Sequence, residues 1–315
     1  MYKSALPFFI YCETPVHVGS GSELGYIDLP IQREKHSGFP KIEASGIKGC
    51  LRDVCNDDKD FKEQVKVFFG PEDGNEHAGS LGFLDGRILL FPVKSVKGVF
   101  AWITCPYVLS KFKEEIQLFF NKQTEDLKNI EVEKIKPYSV PQESNIIVSS
   151  SNNSNDKTII LEEYSFKIKE EENNSNLTKL ASVLAETIFP KKKEKDVFQN
   201  LREKMKRDIV VLSNDDFKDF VEMSTEVITR VRIDEKYHTV SNSALFNEEY
   251  VPENTVFYSS ALFSKIFVEN KQNIYKENSI SEYFKKVVKK YEIIQIGGNS
   301  TIGKGLVRLT SLGEM

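Results

Sequence analysis

Two periods of apolar residues organise the front of the chain. At residues 6–12 every second position is apolar on one side, with Leu6, Phe8, Ile10 and Cys12 in register, which predicts a strand. A polar, glycine-rich stretch at 17–44 then breaks the pattern. Loops longer than about 12–15 residues in compact domains tend to be functional or disordered. Next the period lengthens: Ile47, Cys50, Leu51 and Val54 form a helical stripe. Ser45 stands where an N-cap belongs, so a helix is expected from there to about residue 56. Residues 80–93 and 99–105 read as paired strands. Residues 107–123 return to helical spacing through Leu109, Phe112, Ile116 and Phe119/Phe120.

The middle is less regular. Residues 144–157, containing Ser149-Ser150-Ser151-Asn152-Asn153-Ser154-Asn155, read as a polar loop insertion. A strand is expected at 158–169, and helices at 176–188 and 196–208. Residues 226–234 and 239–246 bracket the polar turn Glu235-Lys236-Tyr237-His238, a hairpin pattern. A helix at 280–291 leads to strands at 292–296 and 306–309, which flank a last glycine loop. No internal repeat is visible. Strand–helix–strand–strand at the front and helix–strand at the back suit an α+β fold with a ferredoxin-like core and insertions.

Composition narrows the class. With 40% apolar residues, 22 Phe and 12 Tyr, the 315-residue chain can build a core, as one large domain or two small ones. Cys12, Cys50, Cys55 and Cys105 have no CxxC spacing, which argues against a zinc ribbon and for reduced thiols in a cytoplasm. No signal-like segment or membrane-length apolar run is present. A net charge of −4 and a pI near 5.8 count against nucleic-acid binding. The cations are unevenly placed, however. Arg33, Lys35, Lys41, Lys48, Arg52, Arg230, Arg232 and Lys304 fall in the motifs that carry chemistry, and acids such as Glu162-Glu163 and Glu170-Glu171-Glu172 fall elsewhere.

Those motifs concentrate at the two ends. His17-Val18-Gly19-Ser20-Gly21 and Gly25 to Glu34 lead into Ser45-Gly46-Ile47-Lys48-Gly49, a glycine-rich loop running into a helix start. Glycines permit close backbone approach, and helix starts favour anions. Lys48 and Arg52 share a helix face, either as an ordinary solvated pair or as a phosphate contact. Asp28 is either a solvated turn carboxylate or an oxygen ligand for a divalent cation near phosphate. His17 is either a strand-end histidine or a proton-exchanging group. His36, His77 and His238 show no metal spacing. Gly297 to Gly305 is not a Walker A loop, because Gly305 follows Lys304 and a strand follows the loop. It is a tight turn or a phosphate nest.

Together these segments resemble a known family. His-x-Gly-Ser-Gly at 17–21, Asp28-Leu29-Pro30-Ile31-Gln32-Arg33-Glu34, Gly38-Phe39-Pro40 and Ser45-Gly46-Ile47-Lys48-Gly49-x-Leu51-Arg52 carry the resemblance. Gly82-Phe83-Leu84-Asp85, Phe91-Pro92-Val93-Lys94-Ser95, Ala101 to Pro106 and Gly297 to Leu306 extend it. The chain resembles the backbone subunits of type III-B (Cmr) CRISPR effector complexes, within the RAMP superfamily. Leu29 to Glu34 favour that branch over the type III-A homologues.

The resemblance implies a single RAMP domain over 1–315. An RRM-like palm would be built from both ends, with helical insertions at about 107–225 and a projecting β-hairpin thumb at about 226–246. It implies Asp28 as the catalytic residue and as a metal ligand, with His17, Glu235 and Tyr237 as further catalytic candidates. Ser45, Lys48, Arg52, Gly297, Gly298, Gly303, Lys304 and Gly305 would bind RNA. The expected cofactor is a divalent metal ion, Mg²⁺ or Mn²⁺. The expected partners are a CRISPR guide RNA, complementary target RNA, further copies in a helical filament and other Cmr subunits, all without a membrane. The expected function is target-RNA cleavage at regular intervals by an endoribonuclease. A non-catalytic RNA-binding scaffold is the alternative, and a stand-alone RNA-processing enzyme is weakened by the lack of a His-rich set.

Overall fold

The computed structural model describes residues 2–72, 76–119, 127, 129–150, 153–168, 175–191, 196–233, 240–268, 275 and 279–312. Its front third runs β1 (Ser4–Cys12), β2 (Lys41–Ile42), α1 (Ala44–Asn56), α2 (Lys62–Phe69), β3 (Leu81–Phe83), β4 (Gly86–Lys94) and β5 (Phe100–Thr104). The middle runs α3 (Pro106–Phe119), β6 (Val148–Ser150), β7 (Asn153–Leu161), β8 (Tyr164–Lys167), α4 (Ser175–Ile188), α5 (Gln199–Arg207), β9 (Ile209–Val211) and α6 (Asn214–Met223). A hairpin of β10 (Glu226–Ile233) and β11 (Val240–Tyr250) follows. β12 (Val256–Phe263), α7 (Ser279–Lys290), β13 (Ile293–Gln295) and β14 (Leu306–Ser311) close the chain.

A central mixed sheet in the order β13-β14-β1-β12-β4-β5-β9 holds these pieces together, with β2 and β3 paired at its margins. Its pairs are antiparallel except β5 with β9. Strand alternation sends β1 side chains to two layers. Phe8 meets Phe284 of α7 at 5.5 Å, and Ile10 shares its side with Ile47 of α1 beside Gly86. Phe9 points the other way, to Phe112 of α3 at 5.9 Å, and Phe112 meets Tyr258 at 5.0 Å. So α1 and α7 cover one face and α3 the other.

Several expectations are corrected. Ser45 does not cap α1. Glu43 occupies that position without a side-chain bond, and the Ala44 N–H donates instead to Asp85 Oδ1 at 2.9 Å. The cap is supplied from across the sheet, where local sequence cannot show it. The buried stripe of α1 is Ile47, Leu51 and Cys55. The serine- and asparagine-rich tract is not a loop: it contributes β6 and β7 to a small three-stranded sheet with β8. The strand expected at 158–169 is broken by a turn at Glu162, whose φ is +51°. Pattern reading passed over α2, β9, α6 and β12. The last is buried along its whole length between the two layers, so its apolar residues do not alternate.

At the end of α7, Lys290 reaches back to Asp58 just beyond α1, at 2.7 Å. Tyr291 also donates to Asp58. The Lys290, Tyr291 and Asp60 N–H contacts hold the Asp58 carboxyl down at about 2, from an ordinary 3.8. A depressed carboxylate stabilises the fold above its unfolded pKa and loses that effect as the pH falls toward its folded one. Asp58→Asn should therefore lower the Tm at neutral pH, and the gap to the native protein should close between about pH 4 and 2. Thermal melts across that range check it.

Candidate functional site

The base of the β10–β11 hairpin is unusual for a strand, because consecutive acids are buried there. Glu248 is 5% exposed and Glu249 is 2% exposed. A buried carboxylate persists only where donors replace water. Each glutamate has its own set, on opposite faces of β11.

Glu249 Oε1 accepts from Arg33 Nη2 at 2.5 Å and from Thr225 Oγ1 at 2.8 Å, and Oε2 accepts from the Ile31 N–H at 3.0 Å. Arg33 also donates to the carbonyls of Gly38 and Val221. The 28–38 loop is thus clamped to the strand. Its first residue is Asp28, half-buried, whose Oδ2 accepts the Asn247 N–H at 2.7 Å. The Leu29 N–H donates to the Asn247 carbonyl, and the Glu249 N–H donates to the Leu29 carbonyl, both at 3.0 Å. Asn247 Nδ2 also reaches the Tyr26 carbonyl at 3.2 Å. Among the described residues, Oδ1 of Asp28 accepts no hydrogen bond.

On the other face, Glu248 Oε1 accepts from Asn299 Nδ2 at 2.6 Å, and Oε2 accepts from Tyr250 and from Arg230 Nε at 3.3 Å. Burial alone would raise this carboxyl, but the Tyr250 and Asn299 bonds, His17 and Arg230 together hold it below the ordinary range. Burial and the Glu248 contact push the Tyr250 phenol up. His17 Nε2 lies 3.7 Å from Glu248. His17 Nδ1 lies 2.7 Å from the Glu249 carbonyl, and a carbonyl only accepts, so Nδ1 carries the proton.

Asn299 belongs to the last glycine loop, which folds back on the first. The Gly298 N–H donates to the His17 carbonyl at 2.9 Å, and the Gly305 N–H to the Pro15 carbonyl at 2.9 Å. Gly297, at φ +84°, is required: a Cβ there would lie 2.2 Å from the His17 carbonyl oxygen. Between Gly297 and Gly303 the loop is largely exposed. The Gly297 N–H also faces the Cys50 thiol, which places the loop beside α1. On α1, no atom lies within 4 Å of a Cβ built on Gly46 or Gly49, so the helix backbone is open to approach. Lys48 is half-buried; burial first, and then Arg52, push its ammonium pKa down. Arg52 is half-buried; its Nη2 is buried, makes no hydrogen bond among the described residues and lies 3.9 Å from the Glu72 carboxylate.

Most sequence-derived candidates therefore converge. Asp28, His17, Lys48, Arg52, Gly297, Gly298, Gly303, Lys304 and Gly305 share one end of the sheet. Ser45 is exposed on α1 beside them, and Lys304 Nζ lies 5.1 Å from the Tyr250 ring centroid. Glu235, Tyr237 and His238 lie outside the described residues, as does the Arg232 side chain. Three cations expected to face RNA are engaged internally: Arg33 with Glu249, Arg230 with Glu248, and Lys41 with Glu43 and Asp85. Sequence reading missed Glu248, Glu249, Tyr250 and Asn247. The one available signal was their position directly after a predicted strand.

No group of three metal-ligating side chains occurs among the described residues, where Asp28 supplies a single carboxylate. Two cavities of about 260 Å³ lie elsewhere, one against α3 at Arg87 and Tyr258, the other between the β7–β8 turn and α6. The glycine turn at 297–303 is largely exposed, which suits contact with a polymer. No helix among the described residues is long and apolar enough to cross a membrane.

The sequence model of the RAMP superfamily matches residues 9–308, and the chain belongs to that superfamily. It is 37% identical over 304 residues to the CRISPR system Cmr endoribonuclease Cmr4 of Pyrococcus furiosus, covering 96% of this chain and 93% of that one. It is 25% identical over 321 residues to the CRISPR system CMR subunit Cmr4 of Saccharolobus solfataricus, covering 99% and 98%. The crystal structure of oligomeric Cmr4 from Pyrococcus furiosus aligns over 99% of this chain and 100% of that one, with a TM-score of 0.67 and 29% identity. A chain of the cryo-EM structure of the Type III-B Cmr-beta bound to cognate target RNA shares the fold at a TM-score of 0.74 and 24% identity, over 99% and 98%.

The Arg33 clamp makes a direct prediction. Arg33→Met would leave Glu249 buried without its cation, and removing one partner of a buried pair costs about 3–5 kcal/mol. Urea unfolding should show a loss of that order.

Proposed function

We propose that the chain is a repeated backbone subunit of a type III-B CRISPR ribonucleoprotein, which holds guide RNA and cleaves complementary target RNA. The observation that carries this is the juxtaposition of α1 with the last glycine loop. It combines the partly exposed face of α1 that carries Ser45, Lys48 and Arg52 with the exposed turn of the glycine loop. That surface offers cations and a close backbone approach to a phosphate chain without reading bases. Likeness to an endoribonuclease at 37% identity over most of both chains supports the same reading.

The strand order β14-β1-β12-β4, with α1 and α7 on one face, supports a ferredoxin-like palm. The β10–β11 hairpin is its thumb. Val227, Val231, Leu245 and Phe246 are exposed apolar side chains on that hairpin, available to pack against bases or a neighbouring copy. Copies stacked head to tail form an open helical filament. One cut per copy then gives regular spacing.

In the cleavage step, the ribose 2′-OH attacks the adjacent phosphorus in line as the bond to the 5′-oxygen breaks. The protein's main contribution is alignment, with guide and target fixed by the palm and hairpin. Asp28, oriented by the Asn247 N–H, presents its second oxygen to the reacting ribose or to a divalent ion. Such an ion would stabilise charge on the phosphate, taking its other oxygens from RNA and water. The carboxylate's hydrogen bond to β11 also favours a second reading, in which Asp28 is structural and the subunit is a scaffold. Asp28→Asn separates the two: guide loading and target binding should persist while cuts vanish at every backbone position. Undiminished cuts, on a gel of end-labelled target at equal occupancy, would rule out the catalytic role.

The RNA-holding surface has its own test. Lys48→Ala with Arg52→Ala should weaken binding of all RNA sequences alike. The slope of log affinity against log salt should flatten by roughly 0.7–0.9 per lost phosphate contact. Filter binding at several salt concentrations measures it.

A further inference from the structure

β11 joins the last glycine loop to Asp28. From the loop, Asn299 Nδ2 reaches Glu248 Oε1 at 2.6 Å, and one residue back along the strand the Asn247 N–H reaches Asp28 Oδ2 at 2.7 Å. A second route runs from the Gly298 N–H to the His17 carbonyl, and from His17 Nδ1 to the Glu249 carbonyl. Asn299 is also the residue that shapes the loop. It sits in the left-handed region at φ +66°, and its carbonyl accepts the Ile302 and Lys304 N–H groups, both at 3.2 Å.

We propose that Asn299 and Glu248 are positioning residues, which make the placement of Asp28 depend on the seating of the glycine loop. The proposal rests on the reading of Asp28 as the cleavage residue. Its physical basis is the burial of Glu248. A carboxylate 5% exposed cannot exchange a lost donor for water, so a displacement of Asn299 must be followed by Glu248 and its strand. RNA phosphate seated on the exposed 300–303 turn fixes Asn299 beside it, which fixes the register of β11 against the Asp28 loop. Reacting groups tolerate little misplacement: about 1 Å can cost about a hundredfold in rate.

An exchange of the two groups tests this. Asn299→Asp sets two carboxylates against each other, at a backbone conformation that aspartate tolerates. Adding Glu248→Gln rebuilds an amide–carboxylate bond in the opposite sense and keeps one anion in the cluster, beside the Tyr250 hydroxyl that Arg230 also contacts. Asn299→Gly removes the side chain and keeps the left-handed backbone, so it stands in if Asn299→Asp fails to fold. The readout is single-turnover cleavage in guide-loaded complexes saturated with complementary target. Asn299→Asp and Asn299→Gly should each cut about tenfold to a hundredfold more slowly at wild-type guide and target occupancy. The Asn299→Asp, Glu248→Gln pair should recover most of the rate. Wild-type rates in both single variants, with Asp28→Asn inactive, would overturn the positioning role alone. So would failure of the exchanged pair to recover while it is folded and loaded. If Asp28→Asn itself cuts normally, the underlying reading of Asp28 fails instead.

Discussion

Two adjacent buried carboxylates set the arrangement of this site. Glu248 and Glu249 point to opposite faces of one strand, and each must find donors inside the protein because water cannot supply them. The donors come from distant parts of the chain: Arg33 and the Ile31 amide for one, Asn299, Tyr250 and Arg230 for the other. Meeting that demand draws the N-terminal loop and the C-terminal glycine loop onto the hairpin base. The glycines follow from it. Where two loops cross within contact of a carbonyl, as at Gly297 over His17, no side chain fits.

The same arrangement explains how an acidic chain can present a surface to RNA. The net charge of −4 says little about local potential. Cations that would otherwise decorate the surface are neutralised internally, Arg33 and Arg230 among them. Those left at the candidate interface, Lys48 and Arg52, are few but lie on the helix that the glycine loop abuts at Cys50. Such a surface binds a phosphate chain by shape and position and leaves sequence selection to base pairing.

Much of this was legible in the residues. The alternation at β1, the stripe of α1 and the hairpin all carry local periodicity, and the glycine-rich motifs marked both loops of the site. What stayed hidden was non-local. β12 does not alternate because both its sides are covered. β11 was expected to stop at Phe246, because Asn247-Glu248-Glu249 reads as a polar exit from a strand, and charged residues are seldom buried. Its continuation is stabilised by partners such as Arg33, 216 positions away. For the same reason the cations of the motifs looked free: a pair formed across the fold leaves no trace in local spacing. The serine- and asparagine-rich tract failed differently, because the pairing of β6 with β7 and β8 outweighed its loop-like composition.

The central claim is that the two loops and the end of β11 form one unit. Native-state hydrogen exchange at the amides of Asn247, Glu249, Ile31 and Gly298 tests it most directly, since each is donated across a junction between them. The account predicts that all four exchange through a common opening with a shared free energy. Protected Asn247 and Glu249 alongside Ile31 and Gly298 amides exchanging as fast as in an unfolded peptide would contradict it.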